Sequence, residues 1–131
     1  MKVECHKRAV KESLEEISDA IRKGVSERQR TIGFHCSVAA ADMLEIFLHE
    51  KGLVDPGATI KHDFFSSGKK ASERIPSFSN KSEILSMLVE LESKRNVLCY
   101  GKPQPVEAIE EYIRTFNKIR KLFDSMGVAY E

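Results

Sequence analysis

The sequence lacks several features that would assign it to a common class of protein. No apolar stretch reaches 18 residues without a charged residue, which predicts that no transmembrane helix is present. Basic and acidic residues number 21 and 20, so no overall charge attracts the chain to nucleic acid or to a membrane, although a local patch still can. No internal repeat or low-complexity segment is present. We therefore expect one globular domain over residues 1–131.

Cysteine is also scarce. Cys5, Cys36 and Cys99 make an odd number, and no Cys-x-x-Cys pair occurs. No signal peptide is recognised either, so we expect reduced thiols and a cytoplasmic protein. A glycine-rich phosphate loop, a nucleophile elbow and zinc-finger spacing are all missing, so no cofactor is predicted.

The residues that are present show the periodicity of helices. Apolar side chains recur every three or four residues along four stretches, which predicts long helices over residues 5–28, 31–51, 80–100 and 105–126. The second stretch is apolar around most of its circumference, which is typical of a helix at the centre of a bundle. No comparable run of period two predicts a strand. The expected fold is an all-α, four- to five-helix up-down bundle.

The segment between the second and third long helices is less regular. Residues 61–75 have the apolar content of one short helix, but Gly68 disfavours it. Asn80 and Glu83 resemble a capping box at the start of the next long helix. Gly127 suits the C-terminal cap of the last helix.

Arg95 interrupts an apolar stripe on the third long helix. The positions of this stripe step by four, three, four and three residues, and the other members are Ile84, Leu88, Leu91 and Leu98. Burying a guanidinium without a partner is costly. Arg95 is therefore expected to pair with a carboxylate inside the bundle, to face a cleft or subunit interface, or to extend outward from the helix end.

The residues around Arg95 resemble a known family motif. They read Lys94-Arg95-Asn96-Val97-Leu98-Cys99-Tyr100-Gly101-Lys102. Together with the helix order along nearly the whole chain, this segment resembles the HEPN superfamily of small helical bundles. Ribonucleases of that family carry an arginine and, four to six residues later, a histidine, and these residues of two subunits meet across a dimer interface. The resemblance implies a homodimer with a nucleotide or RNA phosphate site at Arg95, Asn96, Tyr100 and Lys102.

Tyr100 stands where the family's histidine is expected. Histidine has a pKa of about 6.5 and exchanges protons near neutrality. Tyrosine has a pKa of about 10, which would have to fall by about three units before it acts as a base. The chain thus resembles the branch of the family with tyrosine and glycine after the arginine. That resemblance implies no nuclease activity, a small nucleotidyltransferase partner in a toxin–antitoxin-type pair, and nucleotidylation of Tyr100 by that partner.

Two other functions stay open. One is an active, metal-independent ribonuclease in which Arg95 holds the scissile phosphate at a dimer interface while Asn96 and Tyr100 assist. The other is a non-catalytic bundle that binds a protein and has no ligand pocket. Whether the chain is an enzyme stays open too, and the missing motif histidine favours a negative answer.

The second helix carries a polar face that suggests a metal. Asp42, Glu45 and His49 share this face with His35, and all four are ligand types for Zn²⁺ or Mn²⁺. His35 lies about 21 Å from His49 along the helix axis, too far to share one ion. Asp42, Glu45 and His49 can converge only with help from another helix. The preferred interpretation is a polar face without metal, which can equally supply a carboxylate to Arg95.

Two further patterns have ordinary interpretations. Arg30 and His35 also show the arginine-to-histidine spacing, but they lie at the junction of the first two helices, where we attribute the match to chance. A basic cluster near Lys61 is expected to be a solvated helix face, with phosphate contact as the alternative; its members are Lys69, Lys70 and Arg74.

Overall fold

The computed structural model describes residues 2–130, and this part of the chain contains helices and no strands. A short 3-10 helix (His62–Phe65) lies between the second and third α-helices. The α-helices are α1 (Val3–Lys23), α2 (Gln29–Glu50), α3 (Gly68–Arg74), α4 (Lys81–Tyr100) and α5 (Val106–Ser125). The prediction of an all-α, four- to five-helix bundle is confirmed.

Helix α2 is the centre of the bundle, as its apolar circumference predicts. It packs against α1, α4, α5 and the 3-10 helix. By length and composition it also qualifies as a membrane span, with a mean hydropathy of 1.3 over its most apolar window. However, 72% of that window is buried inside the bundle, which is the environment of a core helix.

Helix α1 ends five residues earlier than predicted. Gly24 has a φ of +129°, a conformation that a helix cannot continue, and α1 stops at Lys23. The sequence predicts an apolar stripe of Val10, Leu14, Ile17, Ile21 and Val25 along this helix, and its end is wrong. Ile21 is 43% exposed, and Val25 lies in the turn, where it packs partly buried against the core.

The short segments also differ from the expectation in detail. Helix α4 begins after Asn80, but this residue has a φ of +67° and its side chain makes no capping hydrogen bond. The capping-box prediction is wrong here, because such a cap needs an extended backbone at that position. Residues 61–75 form two short helices, and Gly68 begins the second, where the Ser67 side chain accepts a hydrogen bond from the Lys70 N–H.

Helices α2 and α4 approach each other closely at Gly33. A Cβ on this glycine would lie 2.7 Å from Leu98 Cβ and 3.3 Å from Cys99 Sγ, so only glycine permits this spacing. The buried Tyr112 hydroxyl of α5 donates a hydrogen bond of 2.7 Å to the Gly33 carbonyl. These contacts bring the start of α2 against the last turn of α4, where Arg95 and its neighbours lie.

Candidate functional site

Gln29 fixes the loop that follows α4. Its Nε2 donates to the Leu98 and Lys102 carbonyls at 3.1 and 3.2 Å, and its Oε1 accepts from the Gln104 N–H at 2.8 Å. The amide is almost completely buried, so these bonds satisfy groups that water cannot reach. The chain after Arg95 therefore has a defined path. The role of Gln29 has no local sequence signal, because its partners lie about 70 residues away along the chain.

Arg30 completes this attachment. Its Nε donates to the Cys99 carbonyl at 2.8 Å, and the two residues border a hollow of about 170 Å³ at the end of α4. His35 contacts a different element, since its Nδ1 lies 3.2 Å from the Ser13 Oγ of α1. Arg30 and His35 thus have separate structural partners.

Arg95 is buried without a carboxylate partner. Its side chain lies on the apolar stripe as predicted, with only 7% of its surface exposed. Among residues 2–130, no carboxylate oxygen lies within 4.0 Å of the guanidinium, and its buried Nε has no hydrogen-bond partner. Its Nη1 makes only a long contact, 3.5 Å, to Asn96 Oδ1. Of the three arrangements expected for Arg95, the ion pair inside the bundle is therefore not formed among the described residues.

Phe34 of α2 covers the guanidinium. The Arg95 Cζ lies 5.6 Å from the centre of its ring, within the range of a cation–π interaction. Phe34 is itself 42% exposed, so the ring has one side toward the arginine and an edge or face toward solvent. Burial raises the pKa of the nearby Cys99 thiol, and the positive charge of Arg95 partly opposes that shift.

Tyr100 does not meet Arg95 within one chain. It is the last residue of α4 and is 74% exposed. The helix stays regular to this point, since the Gly101 N–H donates to the Val97 carbonyl at 2.9 Å. Five helical residues rotate a side chain by about 140° relative to Arg95, so the two diverge. Asn96 and Lys102, the other predicted site residues, are exposed.

A histidine from the irregular segment lies near this site. His62 Nδ1 is 2.9 Å from a Glu92 carboxylate oxygen, and Glu92 precedes Arg95 by one turn on the same side of α4. The His62 side chain is 42% exposed, whereas Glu92 is buried. This pair could not be predicted, because the path of residues 52–79 has no clear sequence signal.

A second polar cluster lies between α1 and α2. His6 Nδ1 is 2.7 Å from Asp42 Oδ1, and His6 Nε2 is 3.3 Å from Glu45 Oε2. His49 Nε2 is 3.4 Å from the other Glu45 oxygen and 3.1 Å from the Ala58 carbonyl. A metal site on α2 was expected to need a residue from another helix. Helix α1 provides that residue, His6. Asp42 and Glu45 are held here and do not reach Arg95.

The polar groups of this second cluster are largely shielded from water. His6 and Glu45 are each 2% exposed, and their Nε2 and Oε1 atoms have no hydrogen-bond partner among the described residues. Burial also raises the pKa of Asp42, and its hydrogen bond with His6 partly opposes that shift. Of the predicted metal candidates, Asp42 and Glu45 converge with His6, while His49 stands beside them.

The basic cluster on α3 lies mostly at the surface. Lys69 and Arg74 are exposed, and the Arg74 guanidinium lies 5.1 Å from the centre of the Phe64 ring. This arrangement agrees with a solvated helix face.

No family model, curated protein or solved structure matches this chain. The resemblance to the HEPN superfamily therefore stands on the helix order and on the residues from Arg95 to Lys102.

Proposed function

We propose that this chain is a HEPN-like helical module that binds a nucleotide or RNA through a phosphate at the end of α4. It acts in the cytoplasm with a small nucleotidyltransferase, as one member of a toxin–antitoxin-type pair, and has no nuclease activity of its own. The observation that carries the proposal is the buried guanidinium of Arg95, which among residues 2–130 has no carboxylate oxygen within 4.0 Å and whose Nε has no hydrogen-bond partner.

A bound anion would neutralise the buried positive charge of Arg95. Removing a charged group from water costs several kcal/mol. The long contact to Asn96 and the ring of Phe34 offset only part of this cost. A phosphate offers two oxygens that match the planar donors of a guanidinium. The exposed part of the Phe34 ring offers a surface on which a base can stack.

Other cations surround this end of the bundle. Lys102 and Arg30 are exposed, and neither forms an ion pair with a carboxylate among residues 2–130. Lys94 pairs with Glu90 at 3.5 Å across one helical turn, a contact that contributes little at a surface. Arg30 and Lys102 thus add two cations without carboxylate partners to this end of a nearly neutral protein, and such cations suit a phosphate backbone.

A homodimer would bring two such ends together. Val97 and Tyr100 are 45% and 74% exposed on the last turns of α4, and a second subunit would cover them. Light scattering at micromolar concentration should give about twice the chain mass of 14.9 kDa. A strictly monomeric mass contradicts this part of the proposal.

The ribonuclease alternative is favoured by one observation, the pair of His62 and Glu92 near Arg95. A carboxylate that orients a histidine is a common arrangement for proton transfer. His62 would then replace the missing motif histidine, and Arg95 would hold the scissile phosphate.

One assay on labelled single-stranded RNA separates these functions. The proposal predicts binding that weakens as salt is raised, with a slope of about −0.7 per neutralised phosphate, and RNA that stays intact. Cleavage that disappears in His62→Gln establishes the ribonuclease instead. Failure to bind either RNA or a mononucleotide favours the protein-interaction bundle.

A further inference from the structure

The buried cluster between α1 and α2 is separate from the end of α4 and has its own chemistry. We infer that His6, Asp42 and Glu45 form a binding site for a divalent transition-metal ion, Zn²⁺ or Mn²⁺. One potential ligand atom from each of the three residues lies within 4.8 Å of the other two. This inference does not depend on the proposed function.

The hydrogen bonding of His6 directs one nitrogen toward the ion. Its Nδ1 lies 2.7 Å from Asp42 Oδ1, the distance of a strong hydrogen bond to a carboxylate, so we assign the proton to Nδ1. Nε2 then presents a lone pair toward Glu45 Oε2. With a neutral imidazole and an ionised carboxylate, this lone pair faces an anionic oxygen, and a second proton or a metal ion is needed between them. A cation between them removes this conflict.

The distance between these two atoms fits a shared ion. His6 Nε2 and Glu45 Oε2 are 3.3 Å apart. Two ligands bound at about 2.0–2.1 Å in a tetrahedral site are separated by about 3.3–3.4 Å. Asp42 holds the ring of His6 through Nδ1, as outer carboxylates do for zinc-bound histidines, so the direct ligands of the ion are His6 Nε2 and the Glu45 carboxylate.

The charges of the cluster also favour a dication. Asp42 and Glu45 are two carboxylates beside each other, and among residues 2–130 neither pairs with a lysine or an arginine. Lys7, the residue after His6, pairs with Glu50 at 3.1 Å and not with the cluster. Two neighbouring carboxylates whose only partners are histidines are costly to bury. One divalent ion balances both.

The mixed ligand set indicates which ions to expect. Imidazole suits zinc and other transition metals, whereas carboxylates suit manganese and the harder ions. Mg²⁺ prefers an all-oxygen octahedral shell and should bind more weakly. His49 acts as a positioning residue, because its Nε2 contacts both Glu45 and the Ala58 carbonyl of the loop after α2.

The test begins with protein freed of metal by a chelator. Titration with Zn²⁺ and, separately, with Mn²⁺ should show one ion per chain by calorimetry. At a hundredfold excess over Kd, the unfolding temperature should rise by about 10 °C. Glu45→Gln keeps the side-chain shape and removes one charge, so we expect binding to weaken at least about a hundredfold. The metal-free variant should unfold at no lower temperature than the metal-free parent, because an unpaired buried charge has been removed.

Cys5→Ser is the matched control. Cys5 is an exposed thiol next to His6 and the obvious source of adventitious zinc binding, so the inference requires that this variant bind as the parent does. Asp42→Asn, at a more accessible position, replaces Glu45→Gln if the latter does not fold. The inference is overturned if neither ion binds, if the carboxylate variants keep parental affinity, or if Cys5→Ser loses it. Loss of stability in metal-free Glu45→Gln without ion binding in the parent identifies a structural ion-pair network instead.

Discussion

Arg95→Met is expected to weaken nucleotide or RNA binding by about tenfold or more, with the free energy of unfolding unchanged or raised. Methionine fits the apolar stripe and is nearly as long as the arginine stem. The substitution removes a cation–π contact worth about 0.5–1 kcal/mol. It also removes a buried donor that lacks a partner, which relieves about 1–3 kcal/mol. The stability gained by removing the unpartnered donor should be at least as large as the stability lost with the cation–π contact. Binding has no such compensation, because the hydrogen bond from Arg95 to the phosphate is lost.

Urea unfolding and a fluorescence binding titration measure the two effects separately. Lys94→Met is the matched control, since it removes the neighbouring positive charge from a partly exposed position, and only a small loss of affinity is expected. If Arg95→Met instead lowers stability by about 3–5 kcal/mol and leaves binding intact, Arg95 has a structural role in the bundle. The functional proposal then fails.

Tyr100→Phe is expected to abolish modification of the chain by its nucleotidyltransferase partner. The three tyrosines differ sharply in access: Tyr100 is 74% exposed, whereas the hydroxyl of Tyr112 is buried and donates to the Gly33 carbonyl. Burial also raises the pKa of Tyr112, which makes its hydroxyl a poorer nucleophile at neutral pH. The expected readout is a mass increase of one nucleotide unit, present in the parent and absent in the variant.

Tyr130→Phe provides the control for this experiment. The Tyr130 hydroxyl donates to Asp124 Oδ1 at 3.1 Å near the C-terminus, far along the chain from the α4 motif. This variant should be modified as the parent is. Modification that persists in Tyr100→Phe and disappears in Tyr130→Phe would show that Tyr130, which lies outside the proposed site, is the acceptor. That result contradicts the prediction.

The helices could be predicted because their signals are local. Spacings of three and four residues placed α2, α4 and α5 within two residues of their observed ends, and Gly127, with a φ of +89°, ends the last helix as expected. The end of α1 was predicted wrongly because the apolar stripe continues past Gly24. The positive φ of that glycine ends the helix there.

The sites were predicted only in part, because their contacts join distant segments. Arg95 stood out as a charge on an apolar stripe, which is again a local signal. The bond from His6 to Asp42 spans 36 residues and depends on how α1 aligns along α2. The bond from His62 to Glu92 depends on the path of an irregular segment. Periodicity carries no information about either.

Phosphate binding at Arg95 is tested most directly by the NMR signal of its own Nε–H group. In ¹⁵N-labelled protein, this resonance can be assigned by its absence from Arg95→Met and followed during titration with a nucleoside monophosphate. We expect the Arg95 signal to shift and to saturate with the Kd of the binding curve, while the signal of exposed Arg114 stays in place. An Arg95 signal that does not move at saturating nucleotide contradicts the account.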